Sequence, residues 1–178
     1  MKIIILDRDG VINEDSDEYI KSPDEWIPIP GSIEAIARLT AAGYRVLVAT
    51  NQSGVARGMF SLQTLANIHQ KMHSLVESSG GQVEKIFFCP HGPEDHCDCR
   101  KPLPGLFHQI AEYLGRSLQD IPAVGDSFRD LAAAEKGGAL PILVRSGKGE
   151  RTIAKHGNEL NIPVYANLKA YVDTLLAH

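Results

Sequence analysis

Short apolar runs at residues 3–6, 45–49, 85–88, 122–124 and 140–144 punctuate the chain. They are too short for helices and are bounded by charged or turn-forming residues, so each predicts a strand. Between them apolar positions recur at helical spacing over about 32–42, 61–79, 104–114 and 127–136, and a last helix fits 168–176. Ser32, Ser61 and Ser127 stand where N-caps belong; Gly43, Gly80, Gly115 and Gly137 stand where helices end. Strands spaced by single helices imply crossover connections and a parallel sheet covered on both faces. The expected fold is therefore α/β, a Rossmann-like three-layer sandwich with a mainly parallel central sheet. Neither an internal repeat nor a low-complexity linker divides the sequence, so residues 1–178 read as one domain.

In such sheets ligands bind beyond the carboxyl ends of the strands. The polar stretches that follow the strands are Asp-Arg-Asp-Gly (7–10), Thr-Asn-Gln-Ser-Gly (50–54), CPHGPEDHCDCRKP (89–102) and Gly-Asp-Ser-Phe-Arg-Asp (125–130). All are rich in groups that bind phosphate or metal. Composition narrows the partners. A formal net charge of −4 gives no electrostatic case for nucleic acid. No apolar run approaches the ~20 residues of a membrane span, and the N-terminal run is too short for a signal peptide. The expectation is a cytoplasmic protein, taken as a monomer, acting on a small molecule.

Carboxylates two positions apart on an extended chain point the same way. Asp7 could bind Mg²⁺ and attack phosphorus, while Asp9 moves a proton. Taken alone, the tetrapeptide is more simply a solvated turn; the other loops change that. Thr50 and the backbone N–H groups after it suit phosphoryl oxygens. Arg57 is placed to reach a second anionic group. Lys101 could neutralise charge on a transferring phosphoryl group, and Arg100 could grip a distal part of the substrate through its planar fork. Asp126 offers a second metal carboxylate. Asp130 closes a capping box with Ser127, which limits it to a supporting role.

All three cysteines, Cys89, Cys97 and Cys99, fall within eleven residues, together with His91. Core cysteines would scatter; these read as a closed, structural zinc site. His96 is the rival fourth ligand, but it adjoins Cys97 directly, so His91 is preferred. The loop ends one residue before Arg100, so a bound ion would pre-position that cation.

Taken together, Asp7-x-Asp9-Gly10, Thr50-Asn51, Lys101 and Gly125-Asp126 with Asp130 resemble the fourfold signature of haloacid dehalogenase-superfamily phosphatases. The phrases LDRDGVIN, TNQSGVARG, CPH followed by CDCRKP, and VGDSFRD resemble the zinc-containing group of that superfamily acting on heptose 1,7-bisphosphates, over roughly residues 3–175. The resemblance implies Asp7 as nucleophile, Asp9 as general acid and base, and Thr50 and Lys101 steadying the phosphoryl group. It implies Mg²⁺ on Asp7, the backbone carbonyl of Asp9, and Asp126, and Zn²⁺ on Cys89, His91, Cys97 and Cys99. Substrate contacts would come from Asp15, Tyr19, Asn51, Gln52, Ser53 and Arg100. Neither Gly10 nor Gly54 is followed by an insertion long enough for a cap domain, so the site should be capless, with specificity set by residues 13–30 and the zinc loop. The implied reaction removes the 7-phosphate of a heptose bisphosphate on the route to nucleotide-activated heptose for lipopolysaccharide. Two rivals stand beside it. A histidinol-phosphate phosphatase would use the acidic run Glu14, Asp15, Asp17 and Glu18 against a cationic amine. A non-catalytic zinc-stabilised binding module would need no intact carboxylates.

Overall fold

In the computed structural model, which describes residues 1–177, the apolar runs pair into one sheet. Its strands are β1 (Lys2–Leu6), β2 (Tyr44–Asn51), β3 (Lys85–Cys89), β4 (Pro122–Gly125), β5 (Leu140–Val144) and β6 (Val164–Tyr165). Their spatial order is β3-β2-β1-β4-β5-β6, and every pairing is parallel. The helices are α1 (Ser32–Ala41), α2 (Leu62–Ser78), α3 (Gly105–Leu114), α4 (Phe128–Lys136), α5 (Gly149–His156) and α6 (Leu168–Leu175).

Strand alternation divides the core in two. Ile4, Leu6, Val46 and Val48 face α1, α2 and α6 through Ile36, Ile68 and Val172. Ile3, Ile5, Leu47 and Ala49 face α3 and α4 through Leu106, Ile110 and Ala133. A sheet buried on both faces is what near-continuous apolar strands require, and the expected three-layer α/β sandwich is the one observed. Among the described residues no helix is long and apolar enough to cross a membrane.

Some local expectations need correction. Ser32 does not cap α1; Gly31, in a left-handed conformation (φ 89°), is the N-cap, and the Ser32 hydroxyl donates to the Val11 carbonyl at 2.8 Å. The left-handed turn after α4 falls on Gly138 (φ 88°), whereas Gly137 stays helical in its angles. The sequence pattern also missed α5 and β6. Helix α5 buries only Gly149 and Thr152, so it carries no apolar stripe, and β6 is two residues long. Ser61 and Ser127 do cap their helices, accepting from the N–H groups of Thr64 and Asp130.

This strand order places the topological switch between β1 and β4. The chain runs outward through β2 and β3, then returns to the other side of β1. The loops after β1 and β4 part there and leave a crevice. The connection from β1 to α1 lies over that end of the sheet, anchored by the buried Ile12, Ile20 and Trp26.

Candidate active site

Asp7 and Asp126 emerge from β1 and β4 at the switch point. The Asp7 N–H donates to the Val124 carbonyl at 2.9 Å, which extends the β1–β4 ladder to the first acid. Gly10 then turns the chain with φ 87°; a Cβ there would lie 2.0 Å from Asp126 Oδ2, so only glycine permits this approach. One oxygen each of Asp7, Asp126 and Asp130 lies within 4.8 Å of the others. Lys101, 2% exposed, reaches under this trio, donating to Asp130 Oδ1 at 3.0 Å, to Asp7 Oδ1 at 3.4 Å and to the Ala49 carbonyl.

Three buried carboxylates around one ammonium cannot all ionise at ordinary cost. Burial, then the charge of Asp130, pushes the Asp7 carboxyl up to about 8 against the pull of Lys101. Burial, Asp130 and Asp7 likewise raise Asp126 well above the carboxylate range. Burial works against Asp130 too, but Lys101 and the hydrogen bonds it accepts hold it well below that range. Lys101 follows the same logic: burial alone would lower it, yet Asp130 and Asp7 together raise it. A divalent cation among the trio would relieve the excess negative charge, and carboxylate oxygens are the donors Mg²⁺ prefers.

Each acid is oriented differently. Asp7 accepts the Arg8 N–H (2.8 Å) and Lys101 on Oδ1, which leaves Oδ2 as the free oxygen. Asp9 accepts from Arg8 Nε (2.8 Å) and Asn13 Nδ2 (2.9 Å) on Oδ1; its Oδ2 has only the distant amide of Gln52 at 3.4 Å. Asp126 is gripped by the first turn of α5 and the residue before it. The Lys148 N–H donates to its Oδ2 at 2.8 Å and the Thr152 hydroxyl to its carbonyl at 2.8 Å. Gly147 (φ 58°) fits between Asp126 and Gly10 only because it lacks a side chain. Asp130 makes the expected capping box, accepting the Ser127 N–H at 3.1 Å, and its Oδ2 also takes the Asp126 N–H at 3.1 Å.

The second loop lies opposite. Thr50 is buried, and its hydroxyl accepts from Gln52 Nε2 at 3.1 Å. Asn51 clamps Lys101: its Oδ1 accepts the Lys101 N–H (3.0 Å) and its Nδ2 donates to the Lys101 carbonyl (3.2 Å). Its amide is thus committed to holding the lysine. Gln52, Ser53 and Arg57 line the cavity, and the Arg57 guanidinium lies 5.9 Å from the Tyr19 ring centre. Tyr19 has φ 68°, an uncommon angle for a side-chain-bearing residue, and it occurs at the rim of the site.

Beside this cavity Cys89, His91, Cys97 and Cys99 bring four ligand atoms within 4.8 Å of one another. His91 Nδ1 is 3.5 Å from Cys89 Sγ and 3.4 Å from Cys99 Sγ; the Cys89 and Cys97 sulfurs are 3.6 Å apart. A tetrahedral ion with metal–sulfur bonds of about 2.3 Å sets ligands at roughly these spacings; the Cys89–Cys99 contact is tighter, at 2.8 Å. Burial raises the Cys89 and Cys99 thiols. It opposes ionisation at Cys97 as well, but backbone N–H groups led by that of Arg100 bring that thiol down to about 7. His91 is the histidine that joins this cluster; His96 is not part of it. Arg100 Nη1 donates to the His91 carbonyl at 3.4 Å, tying that guanidinium to the loop.

Residues 2–138 match the haloacid dehalogenase-like hydrolase family. The chain belongs to the haloacid dehalogenase-like hydrolases. It is 54% identical over 176 residues to the D-glycero-beta-D-manno-heptose-1,7-bisphosphate 7-phosphatase of Bordetella bronchiseptica, covering 99% of this chain and 98% of that one. The protein of that name from Pseudomonas aeruginosa is 54% identical over 174 residues, covering 98% and 97%. Among solved structures, D,D-heptose 1,7-bisphosphate phosphatase from B. bronchiseptica complexed with magnesium and phosphate superposes with a TM-score of 0.96 at 55% identity, covering 99% and 98%. The Burkholderia thailandensis enzyme gives 0.79 at 43% identity, with complete coverage of both chains.

The site of this hydrolase holds residues that the sequence reading did not assign. Arg129 and Lys148 line the cavity. Lys148 Nζ donates to Asp15 Oδ2 at 2.7 Å, and Arg151 makes two bonds of 2.9 Å to Asp17. Asp130 is more than a cap, because its second oxygen holds Lys101. The match of family residues ends at 138, so Gly147, Lys148 and Thr152 lie beyond the segment where a family signature could have indicated them.

Proposed function

We propose that the chain is a magnesium-dependent phosphatase that removes the 7-phosphate of D-glycero-β-D-manno-heptose 1,7-bisphosphate. The observation that carries the reading is the convergence of Asp7, Asp126 and Lys101 at the switch point, beneath a rim of Arg57, Arg100, Arg129 and Lys148. Three arginines around a small polar cavity, beside a lysine paired with Asp15, suit a substrate with a second phosphate. The likeness to named relatives at 54% identity supports the same substrate.

Asp7 Oδ2, free of hydrogen bonds, attacks phosphorus, and the bond from phosphorus to the sugar oxygen breaks. Asp9 gives its Oδ2 proton to that oxygen as it leaves. The product of this half-reaction is an aspartyl phosphate on Asp7. Asp9 then takes a proton from the water that attacks this intermediate, and inorganic phosphate departs with the Asp7 carboxylate restored. Lys101 neutralises charge shared by Asp7 and the phosphoryl group, and Thr50 orients a phosphoryl oxygen. Bound by Asp7, Asp126 and the Asp9 carbonyl, Mg²⁺ supplies positive charge that shields the phosphoryl oxygens from the attacking carboxylate. Cys89, His91, Cys97 and Cys99 would hold Zn²⁺, which would order the loop that presents Arg100.

The two residues of the acidic run that line the cavity are paired: Lys148 covers Asp15 and Arg151 covers Asp17. Neither carboxylate is free to receive a cationic amine. The test compares kcat/KM on the heptose bisphosphate and on histidinol phosphate, with ³¹P NMR identifying the phosphate released. Loss of the 7-phosphate with a clear preference for the heptose is expected; preference for histidinol phosphate overturns the substrate. Asp7→Asn should abolish release. Parent protein inactive on every ester offered, and indistinguishable from Asp7→Asn, overturns the enzyme reading in favour of a binding module.

A further inference from the structure

Arg8 lies between the two catalytic aspartates, yet it is fully buried. Its backbone points Asp7 and Asp9 into the cavity and its own side chain the other way, under the loop and toward α2. Nε donates to Asp9 Oδ1 at 2.8 Å, and Nη2 sits 2.8 Å from the same oxygen. Nη1 meets Nε2 of His69, a buried residue of α2, at 3.1 Å. Burying a guanidinium is costly, and here it is partnered through Nε and Nη1, while Nη2 makes only the ion-pair contact with Asp9.

We infer that His69, acting through Arg8, is a positioning residue for Asp9, locking the carboxylate so that only Oδ2 carries the transferable proton. To accept from Arg8, His69 Nε2 must present its lone pair, so the ring is neutral with its proton on Nδ1. Burial, then the Arg8 charge, pushes its pKa down to about 3, in keeping with that role. Phe88, with its ring centre 6.1 Å away, limits the tilt of the imidazole. With Nη1 held by the imidazole, the guanidinium plane is fixed against Asp9. Asp9 Oδ1 then receives Arg8 and Asn13, and no proton can share that oxygen without displacing a donor. The inference rests on the reading of Asp9 as the general acid.

The readout is leaving-group dependence. An alkoxide leaving from the heptose needs protonation; p-nitrophenolate does not. Expected for His69→Phe is a loss of roughly 10-fold or more in kcat/KM on the heptose bisphosphate, with less than about threefold on p-nitrophenyl phosphate. His69→Gln, whose amide oxygen can accept from Arg8, should restore most of the loss. Should His69→Phe not fold, as judged by its thermal transition, His69→Asn and Arg8→Lys make the same comparison with polar groups retained. Asp9→Asn separates the two ways of failing. If it lowers kcat/KM, which reports the steps up to release of the alcohol, equally on both esters, Asp9 is not the acid and the underlying reading falls. If Asp9→Asn discriminates between the esters and the His69 and Arg8 variants do not, the positioning role falls and the reading of Asp9 stands.

Discussion

Replacing Asp7 by Asn isolates the electrostatic cost of building the nucleophile. Burial and Asp130 push the Asp7 carboxyl up to about 8 in the folded protein, whereas an aspartate in an unfolded chain titrates near 3.9. Between those values the folded state keeps a proton that the unfolded state has lost. Stability therefore falls as pH rises through this window. One such group contributes at most about 1.4 kcal/mol per pH unit, so the ceiling between pH 5 and pH 7.5 is about 3.4 kcal/mol. Asp126 titrates in the same pocket and shares the effect, which brings the Asp7 portion to about 2–3 kcal/mol. Asn has the shape of the protonated acid and no proton to lose. In magnesium-free buffer without chelator, the stability of Asp7→Asn relative to the parent should thus rise by about 2–3 kcal/mol over that range. Urea midpoints at constant m read this directly, and the difference between the two proteins cancels the groups that do not sense Asp7, His69 and the cysteines included; what remains is the response of Asp7 together with its coupled neighbour Asp126. Saturating Mg²⁺ should reverse the order, because a ligand of the folded state stabilises by mass action and the parent offers it one more carboxylate. Parallel stability curves in magnesium-free buffer refute the reasoning.

Gly147→Ala would set a Cβ 2.3 Å from Asp126 Oδ2 and 2.4 Å from the Gly10 Cα; Mg²⁺ titrations of activity should show affinity reduced by about tenfold or more, with zinc content unchanged. Lys148→Met keeps the backbone N–H that holds Asp126 but releases Asp15. Its KM for the heptose bisphosphate should rise, and the ratio of kcat/KM values should move toward histidinol phosphate. Stripping zinc should expose the segment between Cys89 and Cys99 to proteolysis and lower kcat/KM even at saturating Mg²⁺, because the loop that supports Arg100 has little core of its own; full activity in protein shown by metal analysis to be zinc-free would contradict this.

Much of the site was legible because its residue types are unusual where they stand. Carboxylates after an apolar strand, and every cysteine of the chain in one loop, have few simpler explanations. The strands were legible because both faces of the sheet are buried, which leaves continuous apolar runs at 3–6 and 142–144. What escaped depends on contacts distant in sequence. Lys148 meets Asp15 across 133 positions, and the helix it introduces is polar enough to read as loop. Arg8, between two aspartates, looks like a solvated charge; its burial follows from α2 packing over it, which no local pattern announces. The Asp130 capping box was visible as a four-residue motif and is present. Its hold on Lys101 was not, because that contact exists only once α4 docks beside the loop after β3.

Charge counting joins these parts. The Asp7, Asp126 and Asp130 carboxylates converge within 4.8 Å, and Lys101 is the ammonium among them. Fully ionised, the group carries two excess negative charges in a site where the Asp7 side chain is 11% exposed. A second buried lysine would reduce that excess, but it would also occupy the space a phosphoryl group must enter. A dication balances the charge with one small sphere, and a phosphate ester then restores negative charge at the same point. Binding is therefore expected in that order, metal before ester. Lys148 and Arg151 do not compete for the metal-binding acids, because they are paired with Asp15 and Asp17 on the loop after β1. Those pairs leave the acids at the strand ends to the metal, and Arg57, Arg100 and Arg129 to the phosphate that is not cleaved.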